Sequence, residues 1–148
     1  MKLLYSDILP LGTEVDQQTI IDCFKEQLNQ ADRLEIAVGY VSRASLEELD
    51  ALISDSGIKQ ICLNIGMYYI EGMPEGSYHT ALEINRKWRA SGIGEIKIVR
   101  SFKYHGKIYC FYKDGIPFSA IMGSANLGVI KLEASNRRQY EIPSLVTD

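Results

Sequence analysis

The chain has 148 residues, with 16 Lys plus Arg against 19 Asp plus Glu and a formal net charge of -3, which suits one compact domain spanning residues 1–148. A composition of 46% hydrophobic and 24% charged residues is ordinary for a globular protein and excludes a disordered tail, a collagen-like rod and a coiled coil. The slight acidity argues against a general polyanion binder but leaves room for one concentrated basic site, because net charge describes only the long-range field.

Three cysteines, Cys23, Cys62 and Cys110, form no CxxC pair, so neither a disulfide framework nor a zinc knuckle is written here. Residues 1–11 are apolar, but Asp7 and Pro10 interrupt a run too short for a secretion signal. With an odd cysteine count, this makes a reducing, cytoplasmic compartment the expectation. No apolar stretch approaches membrane-spanning length, so no membrane partner is expected.

In chain order, Ile20, Phe24, Leu28 and Ala31 recur at helical spacing behind a cap signal at 13–16, which predicts an amphipathic helix over 16–31. Residues 34–41 read as a buried strand. Ser45 with Glu48 three residues on forms a capping box, and Leu46, Leu49, Leu52 and Ile53 predict a short helix ending near Gly57. A second buried strand follows over 58–67. Gly72, Pro74 and Gly76 punctuate a loop over 68–76, and Leu82, Ile84 and Trp88 resume the helical period over 78–90. From Glu95 the pattern changes: 96–99, 104–112 and 117–122 are strand-like runs without room for helices between them, and Asp114-Gly115 marks a hairpin turn. A helix is expected from Leu127 to about residue 134, and a last strand over 139–146. Parallel units followed by a hairpin imply an α/β domain, a mixed β-sheet layered between helices. No internal repeat is visible.

The segment 104–126, YHGKIYCFYKDGIPFSAIMGSAN, carries the chemistry. Its central strand is apolar on both faces, as expected of an interior strand, yet His105 and Lys107 open it on one face. Polar groups at the end of a buried strand need a partner, because desolvating them alone costs on the order of a few kcal/mol. An anionic ligand or an acidic neighbour is therefore implied. The hairpin folds Gly123-Ser124-Ala125-Asn126 back beside His105 and Lys107. Glycine permits close backbone approach, serine and asparagine donate hydrogen bonds, and a helix starting near Leu127 would aim its amides at the same place. The ligand implied is a phosphate.

His105-x-Lys107, then Gly123-Ser124-x-Asn126, then an acidic residue further on, resembles the phospholipase D superfamily. H-x-K alone is weak, but H-x-K on a buried strand followed one hairpin later by GSxN is specific. The order of elements and the tail NRRQYEI most resemble the metal-independent restriction endonucleases of the NgoFVII type, so a phospholipase D-like nuclease fold is expected. The resemblance implies a two-step hydrolysis of DNA, without metal or small-molecule cofactor, in which one histidine attacks phosphorus and a second protonates the leaving oxygen. Two His-Lys-Asn sets are needed and the chain holds one, so the resemblance implies a homodimer. It also implies that Lys107 and Asn126 hold the phosphate oxygens, that Ser124 supports them, and that an acid orients His105.

The longer motif of the superfamily has aspartate five residues after the lysine, where this sequence has Tyr112. Asp114 is two residues late and sits in the turn, and the resemblance to related nucleases implies that a glutamate after GSxN takes the orienting role, here Glu141 or Glu133. Glu141 is preferred, because an apolar neighbourhood between Tyr140 and Ile142 makes a lone carboxylate costly unless it serves a partner. Tyr104, His79 and Arg138 are weaker candidates. His79 lies beside a helix start and otherwise caps it or faces solvent, and Arg137 with Arg138 either contacts the nucleic-acid backbone or forms an ordinary charged turn. Ser124 alone reads equally well as a helix cap. Tyr68, Tyr69 and Tyr78 either stack on bases or pack at a rim.

Two other functions compete. Glu95-Ile96-Lys97 is half of the E-x-K core of a divalent-metal nuclease, although Asp50 and Asp55 sit on the wrong element to complete it. A catalytically silent module that keeps the phosphate pocket for binding nucleic acid, or for dimerisation, is favoured only by the lost aspartate. Lipid-directed activity is disfavoured, since no interfacial amphipathic anchor is present. No helix-turn-helix, finger or basic arm is visible, so target recognition is expected from a separate domain beyond residue 148.

Overall fold

The computed structural model describes residues 1–6, 8, 14, 16–131 and 140–147. In chain order these form β1 (Lys2–Leu3), α1 (Ile20–Gln30), β2 (Arg33–Val38), α2 (Arg43–Ser54), β3 (Gln60–Ile65), α3 (Glu75–Ser91), β4 (Gly94–Ile98), β5 (Ile108–Lys113), β6 (Ile116–Met122), a 3-10 turn (Leu127–Ile130) and β7 (Ser144–Thr147).

Local chemistry sets the helix boundaries. Thr19, rather than a residue at 13–16, starts α1, because its hydroxyl accepts from the Asp22 amide at 3.1 Å. The capping box of α2 opens at Ser42. The Ser42 hydroxyl accepts from the Ser45 amide at 3.1 Å, and the Ser45 hydroxyl accepts from the Ser42 amide at 2.9 Å, so Ser45 is the third helical residue and not the cap. Gly92, left-handed at φ 73°, ends α3.

The strands form one mixed sheet in the order β1-β7-β6-β5-β2-β3-β4, with β2, β3 and β4 parallel and the other pairs antiparallel. The hairpin joining β5 to β6 turns at Asp114 (φ 51°) and Gly115 (φ 79°), the two positive angles that match the right-handed twist of its strands. The expected α/β class and mixed sheet are therefore present.

One face of the sheet carries the core. Leu34, Ile36 and Val38 of β2, Leu63 and Ile65 of β3, Tyr109 and Phe111 of β5 and Ile121 of β6 are buried with Phe24, Leu49 and Trp88 from the helices. Phe24 stands edge-on to Tyr109 and Phe111, with ring centroids 6.0 and 5.6 Å away. The opposite face, with Arg33, Glu35, Cys62, Asn64, Cys110 and Tyr112, stays half-exposed. The described helices thus cover one face, and the expected layering between helices is not met. Right-handed crossovers between strands laid successively in one direction, β2 to β3 to β4, put both α2 and α3 on the same side.

Three expectations near the chemistry also shift. β5 begins at Ile108, so residues 104–107 precede the strand. The helix expected after Leu127 is a four-residue 3-10 turn ending before Lys131, and the expected remainder at 132–134 lies outside the described residues. β7 begins at Ser144, because Pro143 offers no amide to the ladder, so Glu141 stands ahead of the strand. No described helix is long and apolar enough to cross a membrane.

Phe24 is 1% exposed and joins α1 to β5. Replacing it with alanine is expected to destabilise the fold by about 3–5 kcal/mol. Urea unfolding followed by far-UV circular dichroism measures this, and a loss under about 1 kcal/mol would show that α1 is not seated on the sheet as described.

Candidate active site

The parallel strands β2 and β3 end at the edge where β5 begins, with Ala37 opposite Ile108. Four loops meet there. The Gly66 amide donates to Val38 O at 2.9 Å, Met67 to Gly39 O at 3.1 Å, Tyr104 to Gly66 O at 3.0 Å and Gly123 to Lys107 O at 3.4 Å.

Asn126 joins the two halves of the sheet. Its Oδ1 accepts from the Gly39 and Tyr40 amides, at 3.1 Å each. With the oxygen so occupied, the Asn126 NH2 points the other way with two donors to give. Gly39 makes room for this meeting, since a Cβ there would lie 3.2 Å from His105 Cδ2, 3.5 Å from Asn126 Oδ1 and 3.0 Å from Met67 Cγ. His105 and Asn126 therefore converge on one bare backbone position. The His105 ring is exposed and stands edge-on to Tyr40 at 6.3 Å, and Tyr40 in turn to Tyr68 at 5.4 Å. The Tyr68 hydroxyl donates to Val41 O at 2.7 Å and accepts from Val41 N at 3.2 Å, and burial raises its pKa.

Lys107 is 8% exposed. Its Nζ donates to His105 O at 2.7 Å, and no carboxylate among the described residues forms an ion pair with it. Of the two partners implied for a buried cation, an acid and an anionic ligand, the described residues do not supply the acid. A buried ammonium with one hydrogen bond keeps two protons for a ligand.

Ser124 and Glu141 meet each other instead of His105. The Ser124 hydroxyl donates to Glu141 Oε2, and Glu141 is held by Ser6, which accepts from its amide at 3.0 Å and donates to its carbonyl at 3.1 Å. Ser124 makes no helix cap, because Asn126 precedes the 3-10 turn. Beneath this pair the Tyr109 hydroxyl donates to Ala125 O at 2.8 Å, and its pKa is raised by burial and, to a smaller extent, by the Glu141 charge. The His105 ring has no side-chain hydrogen-bond partner among the described residues.

Tyr104 lies between two glycines. A Cβ on Gly66 would come 2.2 Å from the Tyr104 carbonyl oxygen, and one on Gly106 would come 2.4 Å from its hydroxyl. His79 is exposed on α3, 3.6 Å from Glu75, and joins no residue of the cluster. Glu133, Arg137 and Arg138 lie outside the described residues. Glu95 and Lys97 pair with each other at 3.0 Å on the edge strand β4, while Asp50 accepts from Lys87 at 2.7 Å and from Trp88 Nε1 at 2.9 Å, so the E-x-K alternative finds its donors occupied elsewhere. Tyr112 points to the open face, where its hydroxyl donates to Glu35 at 3.0 Å. Strand alternation puts position 112 opposite to Lys107, so the missing aspartate leaves the His105 cluster unchanged.

The family profile of the NgoFVII restriction endonuclease N-terminal PLD domain matches residues 18–148. The chain belongs to that family. Membership puts it among the phospholipase D-type domains of restriction endonucleases, as the His105, Lys107, Ser124 and Asn126 pattern implied. A comparison with curated proteins finds no match. Among solved structures, the polyphosphate kinase from Porphyromonas gingivalis superposes with a TM-score of 0.53 at 18% identity, over 99% of this chain and 23% of that one, a likeness of fold.

Gly39, Tyr40 and Tyr109 were not singled out in the sequence. The only signal for Gly39 is a glycine directly after an apolar run, which usually marks a turn or a close approach. Gly39→Ala is expected to displace the His105 ring. With only two histidines in the chain, proton NMR of the imidazoles reads this directly. The His105 signal should move and the His79 signal stay, and two unmoved signals would show that the close approach at Gly39 is absent.

Proposed function

We propose that this domain hydrolyses phosphodiester bonds of DNA without a metal, with His105 as nucleophile and two copies of the chain completing one site. The observation that carries the reading is the buried Lys107 ammonium beside His105, with no carboxylate partner among the described residues and the Asn126 amide turned toward the same edge. Such donors suit the non-bridging oxygens of a phosphate and the charge that grows on them in the transition state.

In the first step a neutral His105 ring nitrogen attacks phosphorus, a P–N bond forms, and the bond to the leaving oxygen breaks. That oxygen takes a proton from His105 of the partner subunit. In the second step a water gives its proton back to that histidine and attacks phosphorus. The P–N bond breaks, His105 is released, and the product is a phosphate monoester. Lys107 and Asn126 hold the oxygens throughout. Glu141 serves as a positioning residue that braces the 123–126 loop through Ser124.

The second histidine comes from a second copy because His79, the other one in the chain, is committed to the exposed face of α3 beside Glu75. Three unpaired cysteines suit a reducing, cytoplasmic setting. That the family is defined on an N-terminal domain supports assigning target recognition to a separate domain.

Cleavage of plasmid and single-stranded DNA in excess chelator tests the mechanism, with light scattering for mass. The protein is expected to cleave as a dimer of 16.7 kDa chains, and His105→Ala to lose activity on the order of a thousandfold or more while keeping its fold and mass. Cleavage that chelator abolishes would overturn the mechanism. A folded dimer that binds DNA without cutting it would favour a silent binding module.

A further inference from the structure

We propose that residues 99–104, the segment leading into His105, form a DNA-docking finger in which Arg100 and Lys103 hold the phosphates flanking the scissile one and Phe102 stacks on a base. The inference rests on DNA as the substrate and assigns the surface that receives it.

The first observation is a charge asymmetry. Between Glu95 and Asp114 the chain carries Lys97, Arg100, Lys103, Lys107 and Lys113 and no acid, in a protein whose net charge is -3. Three of these five have partners. Lys97 pairs with Glu95 at 3.0 Å, Lys113 reaches Asp32 at 3.9 Å, and Lys107 donates to His105 O. Arg100 and Lys103 are exposed and have neither an ion pair nor a side-chain hydrogen bond among the described residues.

The second observation is apolar. Phe102 sits between the two cations with 59% of its surface exposed, and the adjoining loop presents Tyr69 at 50% and Ile70 at 69%. An aromatic ring left in water between two free cations forms a surface complementary to a DNA duplex, whose phosphates take the cations while the ring wedges against a base at an opened step. A two-fold copy of this chain seated on the finger would bring its like charges together.

The third is placement. The segment is tied at both ends, the Val99 amide to Ile65 O and the Tyr104 amide to Gly66 O, each at 3.0 Å. Its exposed middle is therefore a short, fixed projection. Chain geometry keeps Lys103 within about 7 Å and Arg100 within about 18 Å of His105. Phosphates of one strand recur about every 3.4 Å along the duplex axis, so both cations reach the first few neighbours of the scissile phosphate.

The test uses His105→Ala as a non-cleaving background and a fluorescently labelled duplex, with anisotropy measured across a salt series. Adding Arg100→Ala and Lys103→Ala together is expected to lower the slope of log affinity against log salt by about 1.8, near 0.9 per lost phosphate contact. Phe102→Ala should weaken binding on the order of tenfold without changing that slope. With His105 restored, the same changes should raise KM and spare kcat. Unchanged slope and KM in the double variant would overturn the finger, as would a dimer that dissociates on Phe102→Ala while DNA affinity per protomer is retained. Salt-sensitive binding through the finger without any cleavage would instead leave the finger standing and remove the hydrolytic reading.

Discussion

The Asn126 carboxamide bonded to the Gly39 and Tyr40 amides is the interaction on which the site depends, because it ties the two halves of the sheet together at one edge. One half is parallel, β2 to β4, and ends its strands at that edge. The other is antiparallel and brings β5 in and β6 out at the same edge. The β5–β6 hairpin brings Asn126 back toward His105, and the cross-link seats both against Gly39 at the end of β2. The cross-link satisfies two backbone donors where β2 stops and in the same act fixes which end of the amide faces outward. Tyr109, donating to Ala125 O from below, and the Ser124–Glu141 pair at the side hold the same short loop from two further directions.

Much of the sheet was legible because its apolar runs are strict. The central strands β2, β3, β5 and β6 were placed within a few residues, and Asp114-Gly115 announced its turn through the positive backbone angles it must adopt. Periodicity says where a face is buried, but it does not say where hydrogen bonding begins. That is why the period runs from residue 16 although Thr19 caps the first helix, and why Ser45 reads as the cap that Ser42 provides. β1, two residues long, carries no period at all. Its pairing with β7 is decided by Lys2 and Leu3 meeting Leu145 and Ser144 from the other end of the chain.

Residue identity revealed the chemistry better than the geometry. His105, Lys107 and Asn126 stand out as polar groups bounding buried strands, and the structure brings them to one edge. The partner of Glu141 could not be read in the same way, since the sequence suggests an apolar neighbourhood, whereas Ile142 is 52% exposed and Glu141 is only half-buried. Ser124 donates to the carboxylate, while Ser6, near the other end of the chain, holds the Glu141 backbone amide and carbonyl. Gly39 was silent for a related reason. Its importance lies in the absence of a side chain, which becomes visible only when His105 and Met67 are seen occupying the space that a Cβ would fill.

Tyr112 shows how strand parity separates a motif from its function. Five residues after Lys107 is an odd step, so the side chain there must leave the helix-covered face for the open one. Tyr112 accordingly packs under the Arg33 guanidinium, 4.7 Å from the ring centroid, and donates to Glu35, whose carboxyl is held below its usual range chiefly by Arg33. An aspartate at this position would join that lattice of charges across the open face and would not approach Lys107. Tyr112 therefore belongs to the charge lattice of the open face, and the donors around His105 are the same with it or without it.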